Sequence, residues 1–113
     1  MQELIDRVAA AAGIDAALAE KSIGLILGFL KKEAPAAEMG QLLEALPGAQ
    51  DTISKAQGGG GIMGLAGQLT SAGLGMGEMQ AVGKELFAYG REKAGEDAVG
   101  AIAGSVPGLS QFI

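Results

Sequence analysis

The 113-residue sequence predicts one all-α domain, a compact bundle of six or more helices. Three observations carry that expectation. Apolar residues recur at three- and four-residue spacing along most of the chain, the period of an amphipathic helix. The stretch from Ala16 to Lys32 carries Ile23, Leu25, Ile26, Leu27, Phe29 and Leu30 with almost nothing polar between them. A helix apolar on nearly every side is buried on nearly every side, so other segments must wrap around this one. The pattern of apolar stripes and helix breakers also repeats after about 60 residues.

In chain order, Leu4, Ile5, Val8 and Ala11 define a first helix over residues 2–12, ending at Gly13, with Glu3 and Arg7 four apart as a weak ion pair. Asp15 stands where an N-cap belongs ahead of the long helix, and Lys31 and Lys32 suit the negative end of its dipole. Pro35 closes that helix and opens the next, whose stripe is Met39, Leu42, Leu43 and Leu46. Pro47-Gly48 breaks it, and a short helical turn through Ala49 and Ile53 follows. Between Lys55 and Glu78 lie 22 uncharged residues, nine of them glycine. A membrane span needs roughly 20 predominantly apolar residues; this stretch is too rich in Gly, Gln, Thr and Ser, so it reads as a linker at Gly58 to Gly61 and then a helix striped by Ile62, Leu65 and Leu69. A strong helix from Glu78 to Lys93 carries Met79, Val82, Leu86 and Tyr89, and the next, Glu96 to Val106, carries Val99, Ile102, Ala103 and Val106. Pro107-Gly108 ends it, and Leu109, Phe112 and Ile113 finish the chain, with Ile113 expected to anchor in the core.

A shift of 60 residues puts Ala12-Gly13 on Ala72-Gly73, Pro47-Gly48 on Pro107-Gly108 and Ile53 on Ile113, among seven identities in 43 positions. Apolar positions keep the same phase: Met39, Leu42, Leu43 and Leu46 fall on Val99, Ile102, Ala103 and Val106. Leu4 and Val8 match Leu65 and Leu69 with one residue absorbed in the turn. The expected organisation of the single domain, 1–113, is therefore an internal duplication: unit one over 1–57, the linker 58–61, and unit two over 62–113, packed about a pseudo-two-fold axis. Each unit alone would be a marginal fold without disulfide or metal.

Composition excludes more functions than it suggests. With neither Cys nor His, the chain has no thiolate ligand, no imidazole ligand and no Ser-His or Cys-His nucleophile system. Eight basic against thirteen acidic residues, with no basic run beyond Lys31-Lys32, disfavour nucleic acid and anionic membrane surfaces as partners. No cofactor and no integral membrane span are expected. Glu3, Asp6 and Arg7 interrupt the start where a secretory signal would need a basic region and an apolar run, so a cytoplasmic location is expected, or a periplasmic one if a leader has been removed.

The candidate positions are two pairs of glycines at four-residue spacing, Gly24/Gly28 and Gly100/Gly104, and three methionines, Met63, Met76 and Met79. A glycine inside a helix costs about 1 kcal/mol relative to alanine, so each pair needs a reason. Close helix crossing over a face without side chains is one; a shallow cleft for an apolar ligand is the other. The methionines read as fillers of irregular core gaps or as an adaptable binding surface. Gly59-x-Gly61-x-x-Gly64 and Gly73-x-Gly75-x-Gly77 match phosphate-binding patterns in letters only, with no preceding strand and no Lys. Gly108-Leu109-Ser110 begins like a nucleophile elbow but has Phe112 where a glycine belongs and no His to serve it. Glu96-Asp97, opening a helix, complements its dipole more simply than it makes an acid-base pair or a hard-metal site.

An amphipathic helical unit ending in Ala45-Leu46-Pro47-Gly48, a glycine-rich uncharged stretch and a second helical unit together resemble the small bacterial VcgC/VcgE-type proteins of unknown function. The resemblance covers most of the chain. It implies a bacterial all-α protein and supplies no activity, cofactor or site residue. The expected function is a non-enzymatic structural or protein-interaction module, with a second copy or another protein as partner held by apolar stripes left over from the core. The alternative is a carrier of a lipid or other apolar ligand between the helical units, motivated by the Gly and Met content and a positive mean hydropathy. An enzyme ranks third, because only Asp, Glu, Ser, Tyr89, Lys and Arg remain for chemistry and no spacing brings two of them together.

Overall fold

A computed structural model describes residues 1–56 and 61–106. The described residues form seven α-helices and no strand: α1 (Gln2–Ala12), α2 (Ala16–Glu33), α3 (Ala36–Ala45), α4 (Ala49–Lys55), α5 (Gly61–Ser71), α6 (Met76–Ala94) and α7 (Glu96–Ser105). The all-α bundle of six or more helices is therefore what the chain adopts. Two helix starts differ from the sequence reading. Gly61, assigned to the linker, opens α5, and α6 begins at Met76 rather than Glu78. The second difference has a local cause: the Glu78 carboxylate reaches back to accept the Gly75 backbone N–H at 2.7 Å, which lets the helix start two residues earlier. The expected break at Pro107-Gly108, the Gly108-Leu109-Ser110 motif and the anchoring of Ile113 lie outside the described residues, as does most of the glycine linker.

Helix ends follow from side-chain and backbone chemistry. Asp15 caps α2, its carboxylate accepting the Leu18 N–H at 2.8 Å. Gly13 has φ +70° and Gly73 has φ +104°, left-handed conformations that favour glycine. Each is followed by an apolar residue whose N–H turns back to the helix just ended, Ile14 to the Ala9 carbonyl at 3.0 Å and Leu74 to the Leu69 carbonyl at 3.1 Å. That is the Schellman closure of a helix C-terminus.

Helix α2 is the hub, packing against α1, α3, α4, α5 and α6. Eight of its residues are buried, Ile23, Leu27 and Leu30 among them, as its all-round apolar pattern requires. Its one buried hydroxyl, Ser22, donates to the Leu18 carbonyl at 2.8 Å, and no buried side-chain nitrogen or oxygen among the described residues lacks a partner. Helix α6 is the second centre, touching α1, α2, α3 and α7. The helices cross between the two halves of the chain: α1 packs most extensively on α6, α5 packs on α2, and α3 packs on both α6 and α7. Leu4 and Val8 of α1, Leu65 and Leu69 of α5, and the long helices' apolar residues thus form one continuous core.

Two substitutions test this account by chemical or thermal unfolding. Asp15→Ala is expected to cost about 1 kcal/mol, the usual value of a lost N-cap. Gly24→Ala, for the reason given next, is expected to cost about 1–3 kcal/mol.

Candidate functional site

The glycine and methionine positions separate into three kinds. A β-carbon built at Gly24 would stand 2.5 Å from the Thr52 carbonyl oxygen and 2.7 Å from the Ala56 β-carbon, so α4 lies directly on the α2 backbone there. One turn on, Gly28 leaves room, with the Ile53 side chain 3.6 Å away in ordinary contact. Thr52 is buried and donates its hydroxyl to the Gly48 carbonyl at 3.2 Å, while the Ala56 N–H donates to the Ile53 carbonyl at 3.2 Å, which leaves the Thr52 carbonyl to face Gly24. At Gly100 and Gly104, by contrast, no described residue lies within 4 Å of where a β-carbon would stand, and both glycines are exposed. Helix α7 turns Val99 and Ile102 to the core and presents these glycines on its other side. Met79 is buried in the core, whereas Met76, one turn earlier, is 60% exposed, so the methionines do not form one surface. Nothing is described of the Met63 side chain.

Sequence reasoning passed over Gly90. A β-carbon there would stand 3.1 Å from Leu42 of α3 and 3.3 Å from Val99 of α7, so three helices converge on it. The signal is present in the sequence: a glycine inside this long helix carries the same cost of about 1 kcal/mol as each member of the two pairs.

A group of charged and aromatic side chains lies between α1 and α6. Glu85, Tyr89 and Glu92 recur at four- and three-residue spacing along one face of α6, and Glu3 and Arg7 stand one turn apart on α1. Arg7 Nε donates to Glu85 Oε1 at 2.7 Å, and its Nη2 to Glu92 Oε2 at 2.9 Å. The Arg7 guanidinium carbon sits 5.0 Å from the centre of the Tyr89 ring, and Lys93 Nζ sits 5.5 Å from it, both within cation–π range. The Tyr89 ring is buried. In place of the expected pair with Glu3, Arg7 makes its contacts across the helix interface, reaching two carboxylates 78 and 85 residues away. Two carboxylates on a rigid facing helix hold a guanidinium better than one on the same flexible surface.

The electrostatics hold each group in one state. Bonds to Glu92 and Glu85 raise the Arg7 guanidinium further above its already high value. The bond from Arg7 holds the Glu92 carboxyl below the usual range. Burial, then the nearby Glu3 carboxylate, pushes the Tyr89 phenol above 10. All three shifts move away from neutrality, the reverse of what a general acid or base needs. The arrangement suits fastening α1 to α6. Elsewhere, Glu96 in the first turn of α7 pairs with Arg91 at 3.2 Å, and no group of three or more metal-ligating side chains occurs among the described residues.

Compared with family models, with curated proteins and with solved structures, the chain gives no match. No described helix is long and apolar enough to cross a membrane.

The shifts fix the sign of the pH dependence. Because the folded Glu92 carboxyl titrates below its ordinary 4.5, its contribution is present above that pH and is lost as pH falls through the lower folded value. The raised Tyr89 value contributes below pH 10 and is lost as pH climbs through the folded value. Glu92→Gln is expected to melt lower than the wild type at neutral pH and to lose less stability on acidification to about pH 3, as followed by circular dichroism. Arg7→Ala is expected to lower the neutral melting temperature and to remove much of its dependence on salt.

Proposed function

We propose that the chain is a non-catalytic structural or protein-interaction module built from two copies of an approximately 60-residue helical unit about a pseudo-two-fold axis. Support for the duplication comes from the helix bounds, since Ala36–Ala45 and Glu96–Ser105 are 60 residues apart at both ends and the two long helices begin 60 apart. The N-cap residues Asp15 and Gly75, also 60 apart, share nearly the same backbone, φ −77°, ψ 166° against φ −81°, ψ 172°. Burial keeps phase as well, with Met39, Leu42 and Leu46 and their counterparts Val99, Ile102 and Val106 all in the core. The reciprocal packing of α1 on α6 and of α5 on α2 is what a two-fold relation produces. The resemblance to VcgC/VcgE-type proteins agrees with an all-α chain and adds no activity.

The observation that carries an interaction role is the open face at Gly100 and Gly104. Two glycines in a ten-residue helix cost about 2 kcal/mol relative to alanine, and no described residue makes use of the space they leave. A helix of another molecule can approach such a face closely. The leftover apolar stripe first expected to hold a partner is not what the described surface offers, because Met76 is its one exposed large apolar residue; close backbone approach at α7 takes its place in this reading.

Photo-crosslinking in the producing cell tests it. A photoreactive residue at Ala101, between the two glycines, is expected to yield a discrete protein adduct that Gly100→Leu or Gly104→Leu abolishes without lowering the melting temperature. No adduct from Ala101 while exposed Ala10 of α1 gives one would contradict the reading. In the isolated protein, Gly100→Ala is expected to raise stability by up to about 1 kcal/mol, the opposite sign to Gly24→Ala.

A further inference from the structure

We infer that Met76 is a site of oxidation by hydrogen peroxide or an alkyl hydroperoxide, and that the sulfoxide formed there caps α6 rather than disrupting the fold. The inference stands on the first turn of α6, and needs neither the duplication nor a partner on α7.

Of the five methionines in the chain, Met39 and Met79 are sealed in the core at 2% and 4% exposure, whereas Met76 stands 60% exposed between two exposed glycines, Gly75 and Gly77. Peroxide must reach the thioether sulfur, so a core methionine reacts only in the small fraction of molecules that have opened around it. Met76 is accessible without opening. Its sulfur attacks one peroxide oxygen; the S–O bond forms as the O–O bond breaks, and the proton of the transferred oxygen passes to the departing hydroxide or alkoxide, giving sulfoxide and water or alcohol. The sulfur is oxidised and the peroxide reduced by the same electron pair. What the sulfoxide then does depends on where it stands. At Met79 its dipole would be forced into the apolar core, a destabilising change. Met76 is instead the first residue of α6, where the leading N–H groups have no acceptor within the helix. Asp15 supplies one for α2, but Gly75, in the corresponding place ahead of α6, has no side chain to do so, and the Glu78 carboxylate is engaged with the Gly75 N–H. A sulfoxide oxygen stands as many bonds from the backbone as the carbonyl oxygen of a glutamine, and its partial negative charge suits the positive end of the helix dipole. Oxidation here therefore adds the acceptor that the helix start lacks, and makes polar the one large apolar side chain exposed among the described residues.

Hydrogen peroxide applied to the native full-length protein, followed by peptide mass mapping over time, tests the site. Met76 is expected to gain one oxygen at least about tenfold faster than Met39 or Met79, in line with their exposures. Oxidation of either core methionine at a rate comparable to that of Met76 would overturn the inference. Two variants of similar helix propensity test the cap. Met76→Gln supplies a permanent acceptor of the same reach, and Met76→Leu supplies none. Without peroxide, Met76→Gln is expected to melt about 1–4 °C above Met76→Leu. At a dose that converts Met76, the melting temperature of the wild type is expected to rise by a similar amount relative to Met76→Leu given the same dose, a control that removes the effect of oxidation at other methionines. A wild-type melting temperature that peroxide leaves unchanged or lowers against that control would overturn the inference, as would Met76→Gln melting no higher than Met76→Leu.

Discussion

Everything in this fold depends on the burial of α2. Ile23, Leu25, Ile26, Leu27 and Leu30 occupy nearly every side of one helix, and no single neighbour can cover them. Five of the other six described helices contribute, two of them, α5 and α6, arriving from beyond the glycine-rich stretch. Burying a large aliphatic side chain is worth about 1.5–3 kcal/mol, so a helix of this composition left half covered would favour collapse onto whatever apolar surface was available. The second half of the chain supplies that surface, and in supplying α5 it gives up a compact core of its own.

The remaining features refine that arrangement. Arg7 adds direction to the apolar contact between α1 and α6, because its guanidinium meets two carboxylates and a ring only at one rotation of the two helices. Gly24 and Gly90 shape the approaches that side chains would block, the first where the α4 backbone lies on α2, the second where Leu42 and Val99 meet over α6. Gly100 and Gly104 carry the same helix penalty with no described neighbour above them, which is why they, rather than the buried glycines, direct attention to the surface.

Local chemistry made most of the fold legible in the sequence. The stripe of Leu4, Ile5 and Val8, the Asp15 cap, the Gly13 and Gly73 turns and the Pro35 boundary all act within a few residues, so spacing alone reveals them. What spacing cannot reveal is which helix faces which. The sequence pairs Arg7 with Glu3 because an i,i+4 partner is visible in it and partners 78 and 85 residues away are not. The two glycine pairs looked alike for the same reason: Gly24-x-x-x-Gly28 and Gly100-x-x-x-Gly104 have one spacing, and only the position of α4 distinguishes a crossing from an open face. The methionines were likewise grouped by sequence, and three residues of helix separate exposed Met76 from buried Met79.

The central claim is that the two halves share one core because each sends its first helix to the other's long helix. Native-state hydrogen exchange across a denaturant series measures this most directly, by giving the opening free energy of each helix. The slowest amides of α1, α2, α5 and α6 are expected to converge on a single opening free energy with a single denaturant dependence. Loss of protection throughout α5, α6 and α7 at a lower free energy, while α1 to α4 stay closed, would contradict it.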